Sequence, residues 1–172
     1  MNGRIKLIKP GAVMIAVLAL SVTGMAGFPA SAQVNDEEGV RRALVDNVSG
    51  FERNDLAMLS KVWAQDESVT VFENGSANYG WADYRDNHLK PEMAEMKNVK
   101  YALTDIKPHV AGNAAWATFK YTFSADLKER HVEGAGLGTA VLERRDGRWQ
   151  IVHWHTSSSR RPPAGQSPSK QE

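Results

Sequence analysis

The stretch GLGTAVLERRDGRWQIVHWHTSS, residues 136–158, contains the signal that decides the fold. The turn-forming pair Asp146-Gly147 separates two runs that are rich in β-branched and aromatic residues. An Asp-Gly pair in that position is typical of a β-hairpin. We therefore predict a hairpin between a strand at 132–144 and a strand at 149–157.

Two further strands are predicted before this hairpin, at 99–110 and 115–125, with a turn at Gly112-Asn113. The strand at 115–125 alternates small or aromatic residues with polar ones, so it has one apolar face. Three glycines share one face of the strand that follows: Gly134, Gly136 and Gly138. Missing side chains there allow bending and leave room for a helix or a ligand, so we expect a strongly curved antiparallel sheet.

The segment before the sheet has helical periodicity. Asn35 and Glu38 have the spacing of a capping box, and they open a helix that we expect to carry one apolar face. That face comprises Val40, Leu44, Val48 and Phe51. Asn54 or Asp55 can cap a second, shorter helix. The two helices are predicted to form a hairpin over an apolar surface.

A short strand at 68–73 is predicted next, and the turn residues Asn74-Gly75-Ser76 end it, so Glu73 stands at the end of that strand. Helical periodicity returns from Trp81 to about Met96. Pro91 removes one backbone donor from this third helix, which we expect to kink or restart there.

Two segments resemble the SnoaL-like branch of the nuclear transport factor 2-like superfamily. GWADYRDNHL, residues 80–89, resembles its glycine-led third helix, and residues 136–158 resemble its closing hairpin, with a His-x-His-x-Ser run at the end of the sheet. The chain is also similar to the association domain of calcium/calmodulin-dependent kinases. The resemblance covers about 36–158. It implies an α+β cystatin-like cone, in which a curved antiparallel sheet wraps around three N-terminal helices, with a pocket inside and a homodimer packed sheet to sheet.

The first 32 residues have the pattern of a cleavable signal peptide. Arg4, Lys6 and Lys9 precede an apolar run at 11–22, and Ala30-Ser31-Ala32 provides the small-x-small cleavage pattern before Gln33. The apolar run is shorter than the ~20 residues that cross a bilayer, so we expect no membrane association after cleavage. The expected organisation is a signal peptide at 1–32, one domain at 33–158 and a disordered polar tail at 159–172. The domain is then periplasmic or secreted.

Composition excludes several classes of function. Loss of the signal peptide removes three of 21 basic residues and leaves all 20 acidic residues, so the net charge becomes slightly negative. The basic residues near the hairpin ends are interleaved with acidic ones, which argues against a nucleic-acid partner. The sequence has no cysteine, no glycine-rich phosphate-binding motif and no nucleophile beside a base, so no cofactor is expected.

Glu73 is the candidate general base. The steroid isomerases of this superfamily place a proton-shuttling carboxylate near this point, although they have Asp where this chain has Glu, and their loop is longer. Such a base needs apolar neighbours that raise its pKa and a facing hydrogen-bond donor. Tyr79, Trp81 and Tyr84 could provide both. The alternative is an exposed glutamate at a strand end.

Five histidines occur in the chain, and three of them are candidates for a site. His153 and His155 are predicted on one face of the last strand together with Trp149 and Ile151, about 7 Å apart. A metal would need a third ligand, such as His88 or Glu73. The alternative is a hydrogen-bonded histidine pair at the pocket wall or dimer face. We predict no metal.

Three functions are compatible with these residues. The first is binding of a small, largely apolar molecule in the cone. Its predicted ligand-binding residues are Tyr79, Trp81, Tyr84, His88, Trp116, His153 and His155. The second is an isomerase, dehydratase or cyclase with Glu73 as base and Tyr84 or His88 as the polarising donor. The third is a non-catalytic dimerisation or assembly module. For Trp116 and Trp154, a place in the core or the dimer interface is an alternative to ligand stacking.

Overall fold

The computed structural model describes the backbone of residues 30–158 and the side chains of residues 35–158. The helices are α1 (Ala30–Glu52), α2 (Leu56–Val62), α3 (Trp81–Tyr84) and α4 (Lys90–Glu95), and a π-helical turn (Arg85–Leu89) joins α3 to α4. The strands are β1 (Thr70–Glu73), β2 (Ser76–Tyr79), β3 (Lys97–Ala111), β4 (Ala114–Leu127), β5 (Arg130–Arg145) and β6 (Arg148–Ser158). Residues 1–29 of the predicted signal peptide and the tail from residue 159 lie outside the described residues. No helix in the described range has the length and apolar character to cross a membrane.

In the described part of the chain, six strands form one sheet in the order β2-β1-β6-β5-β4-β3. Strands β3 to β6 pair antiparallel, as predicted, but β1 pairs parallel with β6, so the sheet is mixed. Strand β2 was not predicted. Asn74 and Gly75 both have positive φ, 52° and 82°, the conformation of a two-residue hairpin turn, so the segment that we expected to end β1 instead joins it to β2.

The sheet curves around the helices. Helix α1 packs against β3, at one edge of the sheet, and also against β6. These two strands are three positions apart, about 14 Å in a flat sheet. One helix contacts both because the sheet is concave on the helical side. The predicted α+β fold, three helices inside a curved sheet, is confirmed.

The helices follow the predicted pattern except at their ends. Asp55 caps α2, where its carboxylate accepts the Met58 backbone N–H at 2.9 Å, as predicted. The capping box at Asn35 is wrong, because α1 begins earlier, at Ala30. The irregularity of the third helix is the π-helical turn, which ends two residues before Pro91. The backbone stays helical from this turn into α4, because Leu89 and Lys90 both have right-handed helical angles.

The core lies between the helices and the concave face of the sheet. Its largest fully buried side chains are Trp63, Trp154, Leu44, Leu59, Leu89, Leu142 and Ile151. Trp63 is central: its indole N–H donates to Asn47 Oδ1 at 2.7 Å, and its ring contacts those of Trp81, Tyr84 and Trp154. The helices are thereby fixed against β6, which positions the side chains at the open end.

Candidate functional site: a cavity inside the curved sheet

A cavity of about 280 Å³ lies at one end of the core, between the end of α1, the third helix and the concave face of the sheet. Nine of its lining residues are apolar or aromatic: Phe51, Tyr84, Leu89, Met96, Tyr101, Tyr121, Phe123, Val132 and Trp154. Its polar lining consists of Asn47, Glu73, Asn74, Glu92, Glu133, Thr156 and Ser158. Polar and apolar surface contribute about equally to the cavity wall.

The glycines of β5 explain why the cavity lies at this end. In the β4–β5 ladder, Phe119 pairs with Gly138, Tyr121 with Gly136 and Phe123 with Gly134. A Cβ atom on Gly138 would lie 2.1 Å from the Phe119 ring, so that ring already occupies the space over the glycine. A Cβ on Gly134 would meet nothing within 4 Å. The space predicted over these glycines is thus filled by the Phe119 ring at Gly138 and is part of the open cavity at Gly134.

Glu73 lies at the polar part of the wall. Val71 and Glu73 share the inward face of β1, so the strand that ends at Glu73 directs its carboxylate into the cavity, with only 18% of the side chain exposed. Thr156, its partner on β6, donates its hydroxyl to Glu73 Oε1 at 3.2 Å. Burial raises the pKa of Glu73, and hydrogen bonds from Thr156 and Trp154 oppose that rise. Glu73 is therefore not the exposed strand-end residue of the alternative interpretation.

His88 stands behind the two carboxylates that reach the cavity. Its Nε2 lies 3.4 Å from Glu73 Oε2 and 3.3 Å from Glu92 Oε1, and its side chain is 15% exposed. Its Nδ1 donates to Asn78 Oδ1 at 2.8 Å, because the Asn78 amide nitrogen donates to Asp83. Nε2 is therefore the nitrogen that gains or loses a proton beside the carboxylates. Hydrogen bonding to Glu92, opposed by burial, raises the pKa of His88, and the charge of Glu73 adds to the rise.

The π-helical turn gives His88 this position. The backbone N–H of Lys90 bonds to the carbonyl of Arg85, five residues back, so the turn contains one extra residue. The ring of His88 packs edge-on against Tyr84 at 5.2 Å, one turn earlier. Helix α3 and the turn thus hold Tyr84 and His88 together near Glu73. Tyr84 lines the cavity as predicted, but His88 is not among the lining residues, so the prediction that His88 contacts the ligand directly is wrong.

Tyrosine hydroxyls and one indole N–H complete the polar groups. Burial holds the pKa values of Tyr84 and Tyr101 well above the usual value near 10, so both phenols are neutral and can donate hydrogen bonds. A hydrogen bond with Trp154 lowers the pKa of Glu73 and also that of Tyr101. The single indole N–H of Trp154 therefore lies near both groups, which links the carboxylate to the tyrosine wall.

The sequence did not identify Tyr101, Phe51 or Phe123 as cavity residues. Tyr101, Phe123 and Phe51 contact one another, with ring centroids 5.5 Å to 6.4 Å apart. The available signal was the inward face of β4 opposite the open Gly134, which contains Phe123. Tyr101 had no local signal, because its position depends on how β3 pairs with β4.

Three predicted ligand-binding aromatic residues do not reach the cavity. Trp81 is buried in the core, 3% exposed, and stacks on Trp63 at 6.1 Å. Tyr79 is 63% exposed on the edge strand β2. Trp116 is 45% exposed on the convex face of the sheet, where it stacks on His109, because it alternates with the inward residues Ala115 and Ala117. The prediction that these three residues line the pocket is wrong.

His153 and His155 also lie outside the cavity, on the convex face. Val141 pairs with His153 but the next residue, Leu142, pairs with Ile151, so Val152 is an extra residue in a β-bulge. The bulge reverses the alternation of β6. Trp149 and Ile151 are buried on the inner side, and after the bulge Trp154 and Thr156 are buried. The prediction that the two histidines share a face with Trp149 and Ile151 is wrong for this reason.

The convex-face histidines make other contacts. His153 Nδ1 lies 2.7 Å from the Thr70 hydroxyl, and its ring packs edge-on against Phe72 at 5.3 Å. Burial lowers the pKa of His153, and the neighbouring His155 lowers it further. His88 is on the opposite side of the sheet from this pair, so it is no third ligand. Among residues 35–158 no group of three metal-ligating side chains is arranged to hold a metal ion.

The sequence matches the family model of the SnoaL-like domain over residues 40–160. Solved structures with the same fold include a nuclear transport factor 2-like superfamily protein from Salmonella enterica serovar Typhimurium (TM-score 0.66, 19% identity, covering 81% of this chain and 99% of that one). A candidate dehydratase of the same family from Streptomyces avermitilis has a TM-score of 0.67 at 21% identity, covering 74% of this chain and 98% of its own. A candidate ketosteroid isomerase from Shewanella frigidimarina has a TM-score of 0.61 at 21% identity, covering 69% and 94%. At these identities the likeness establishes the fold alone. No curated protein matches the sequence.

Proposed function

Because the chain belongs to the SnoaL-like family of the nuclear transport factor 2-like superfamily, whose fold serves several assigned activities, we propose a function from its cavity: the domain binds a small, largely apolar molecule there. The observation that carries the proposal is the open volume of about 280 Å³ beside a polar cluster at Glu73. This volume is near the lower end of the ~300–1,000 Å³ usual for ligand pockets, so the ligand is small.

Filling the cavity tests the binding proposal. Gly134→Val adds a side chain to the open space over Gly134, where a Cβ meets no atom within 4 Å, so the variant should fold. Native mass spectrometry of protein purified from its own cell compartment should show a retained small molecule in the wild type and less or none in Gly134→Val. Thr122→Val, on the exposed convex face of β4, is the control and should retain it. Equal retention by all three proteins would contradict binding in the cavity.

Proton transfer is a second candidate function, and the position of Glu73 favours it. A buried carboxylate with a raised pKa, next to His88 and to the neutral donors Tyr84 and Tyr101, is an arrangement that can move a proton beside a carbonyl group. The reaction class is an isomerisation, dehydration or cyclisation, with Glu73 as base and a phenol as the polarising donor. His88 then holds or returns the proton at Nε2.

Hydrogen–deuterium exchange in a panel of small cyclic ketones, followed by NMR, tests this candidate. Wild-type protein should accelerate exchange next to the carbonyl of at least one ketone. Glu73→Gln should abolish the acceleration, while Glu129→Gln, at the exposed β4–β5 turn, should leave it intact. If Glu73→Gln exchanges as fast as wild type, Glu73 is not the base.

We also propose a homodimer that forms through the convex face of the sheet. Four large side chains are exposed on that side, Phe72, Tyr79, Trp116 and Leu137, at 36% to 63%. Light scattering should give twice the chain mass for wild type and a monomer for Leu137→Glu. If the dimer forms but no ligand is retained, the third function, an assembly module, is favoured.

Export to the periplasm or medium remains part of the proposal, and N-terminal sequencing of the mature protein should begin at Gln33.

A further inference from the structure

The ionisable side chains that line the cavity are of one sign. Glu73 and Glu92 both contribute carboxylates to the wall, and none of the described lining residues is lysine or arginine. Glu133 also borders the cavity, but its side chain is 66% exposed and lies 3.4 Å from His131 Nε2. An anion entering the cavity would therefore meet carboxylates and no fixed partner of opposite charge. Burying a charge without a partner costs several kcal/mol, so the lining disfavours carboxylate or phosphate ligands.

His88 does not reverse this sign. Its Nε2 lies within 3.4 Å of both Glu73 and Glu92, so it neutralises one carboxylate at most. If the shared proton is on His88, Glu73 is an anion, and if it is on Glu73, His88 is neutral. In both cases the pair sums to zero, and Glu92 leaves the cavity negative. Loss of that proton makes it more negative still.

The rest of the wall is suited to an organic cation. Tyr101 contacts Phe51, Tyr121 and Phe123, with ring centroids 5.5 Å to 6.4 Å apart, so these rings form one continuous aromatic wall. Aromatic faces attract cations through their electron-rich π systems, and the attraction strengthens away from water. The same wall also packs against the apolar part of a ligand.

We propose that the cavity selects an organic ammonium ion, with its apolar part on the aromatic wall and its cationic nitrogen beside the carboxylates of Glu73 and Glu92. This inference rests on the proposed binding function and names the class of ligand. Charge excludes anions of the same size, and a neutral analogue loses the attraction of both carboxylates. The cation competes with the proton on His88 for the same two carboxylates, so its binding releases protons.

Three probes of similar size and different charge test the proposal: benzylammonium, benzyl alcohol and benzoate. Isothermal titration calorimetry at pH 7 should give the tightest binding for benzylammonium, about tenfold weaker binding for benzyl alcohol, a difference of ~1.4 kcal/mol, and no binding for benzoate. Repeating the benzylammonium titration in buffers of different ionisation enthalpy should detect proton release.

Glu92→Gln provides the matched variant, because Glu92 is 38% exposed and its loss should leave the fold intact. It should weaken benzylammonium several-fold and leave benzyl alcohol unchanged, whereas a purely structural defect would weaken both. Glu129→Gln, at an exposed residue of the β4–β5 turn that does not line the cavity, should change neither.

The outcomes separate this inference from the proposed function. Benzyl alcohol binding as tightly as benzylammonium overturns the selection for cations and leaves cavity binding intact. Binding of benzoate that is tighter than binding of benzylammonium overturns the selection for cations as well. If none of the three probes binds, the ammonium inference fails, and the ligand retained in the native mass spectrum decides the cavity proposal separately.

Discussion

The two faces of the sheet near β1 and β6 carry similar pairs of rings in different surroundings. On the concave side His88 packs edge-on against Tyr84 at 5.2 Å, and on the convex side His153 packs edge-on against Phe72 at 5.3 Å. The inner imidazole faces two carboxylates, and its pKa is raised. The outer one is partly buried beside a hydroxyl and a second histidine, and its pKa is lowered, first by burial and then by that histidine. The charges around an imidazole, more than the ring packed against it, thus determine what it can do.

Inserting one alanine between His153 and Trp154 should have the largest effect on this comparison. His153 faces outward, so the inserted residue would take the inward position of Trp154, and Trp154 would turn to the convex face. Trp154 is 1% exposed and belongs to the core, so we expect the insertion variant to be unfolded. Circular dichroism should show the loss of the native spectrum.

Val152→Ala is the control for the insertion, because it keeps the length of β6 and its bulge and removes only side-chain volume. It should fold, with a loss of about 1–3 kcal/mol in the free energy of unfolding. An insertion variant as stable as Val152→Ala would contradict the assignment of Trp154 and the histidines to opposite faces.

This bulge also marks the limit of what the sequence could predict. Strict alternation in β4 correctly predicted the inward face that carries Phe119, Tyr121 and Phe123. The same rule failed in β6, because no residue type in IVHWH signals an inserted residue, and its position is fixed only by pairing with β5. Because the extra residue was not predicted, His153 and His155 were expected in the pocket, whereas they lie on the opposite face of the sheet.

The site was predictable where it depends on local structure. The turn after β1 placed Glu73 at a strand end, with an inward and an exposed side chain both left open, and helical spacing placed Tyr84 and His88 on one side of the third helix. Glu92, Tyr101 and Trp154 join them through tertiary contacts between the third helix, β3 and β6. Spacing along the chain contains no information about those contacts, so these three residues could not be predicted from it.

The next largest effect is the difference in stability between substitution of a buried tryptophan, Trp154, and of a half-exposed one, Trp116. Trp154→Ala removes a ring that packs against Trp63 and Phe119 in the core, and should cost about 3–5 kcal/mol of the free energy of unfolding. Trp116→Ala removes a half-exposed ring on the convex face and should cost less than about 1 kcal/mol in dilute monomer. Urea titrations of both variants measure the difference. An equal loss of unfolding free energy in both variants would contradict this distinction, because it would mean that Trp116 on the convex face stabilises the monomer as much as Trp154 in the core.

The smallest effect expected is a difference in pH dependence between the two imidazoles. The folded protein holds the His88 proton more tightly than the unfolded chain does, because Glu92 and Glu73 face it and Asp83 lies nearby. That stabilisation is present below pH 6.5, the ordinary histidine pKa, and is lost as the pH rises through the raised pKa of His88. For His153 the sign is opposite. Its pKa is lowered, so protonation destabilises the fold as the pH falls from 6.5 through that lowered pKa.

Two glutamine variants test these opposite pH dependences of stability, because glutamine keeps a hydrogen-bonding side chain and does not titrate. The stability lost in His88→Gln, relative to wild type, should be greater at pH 6 than at pH 9, since the charged interaction that it removes exists only at the lower pH. The stability lost in His153→Gln should be smaller at pH 5 than at pH 8, since at pH 5 the variant also avoids the cost of a protonated, partly buried imidazole. Urea unfolding at these pH values checks both. Parallel trends in the two variants would contradict the distinction between the faces, because only opposite surroundings give opposite signs.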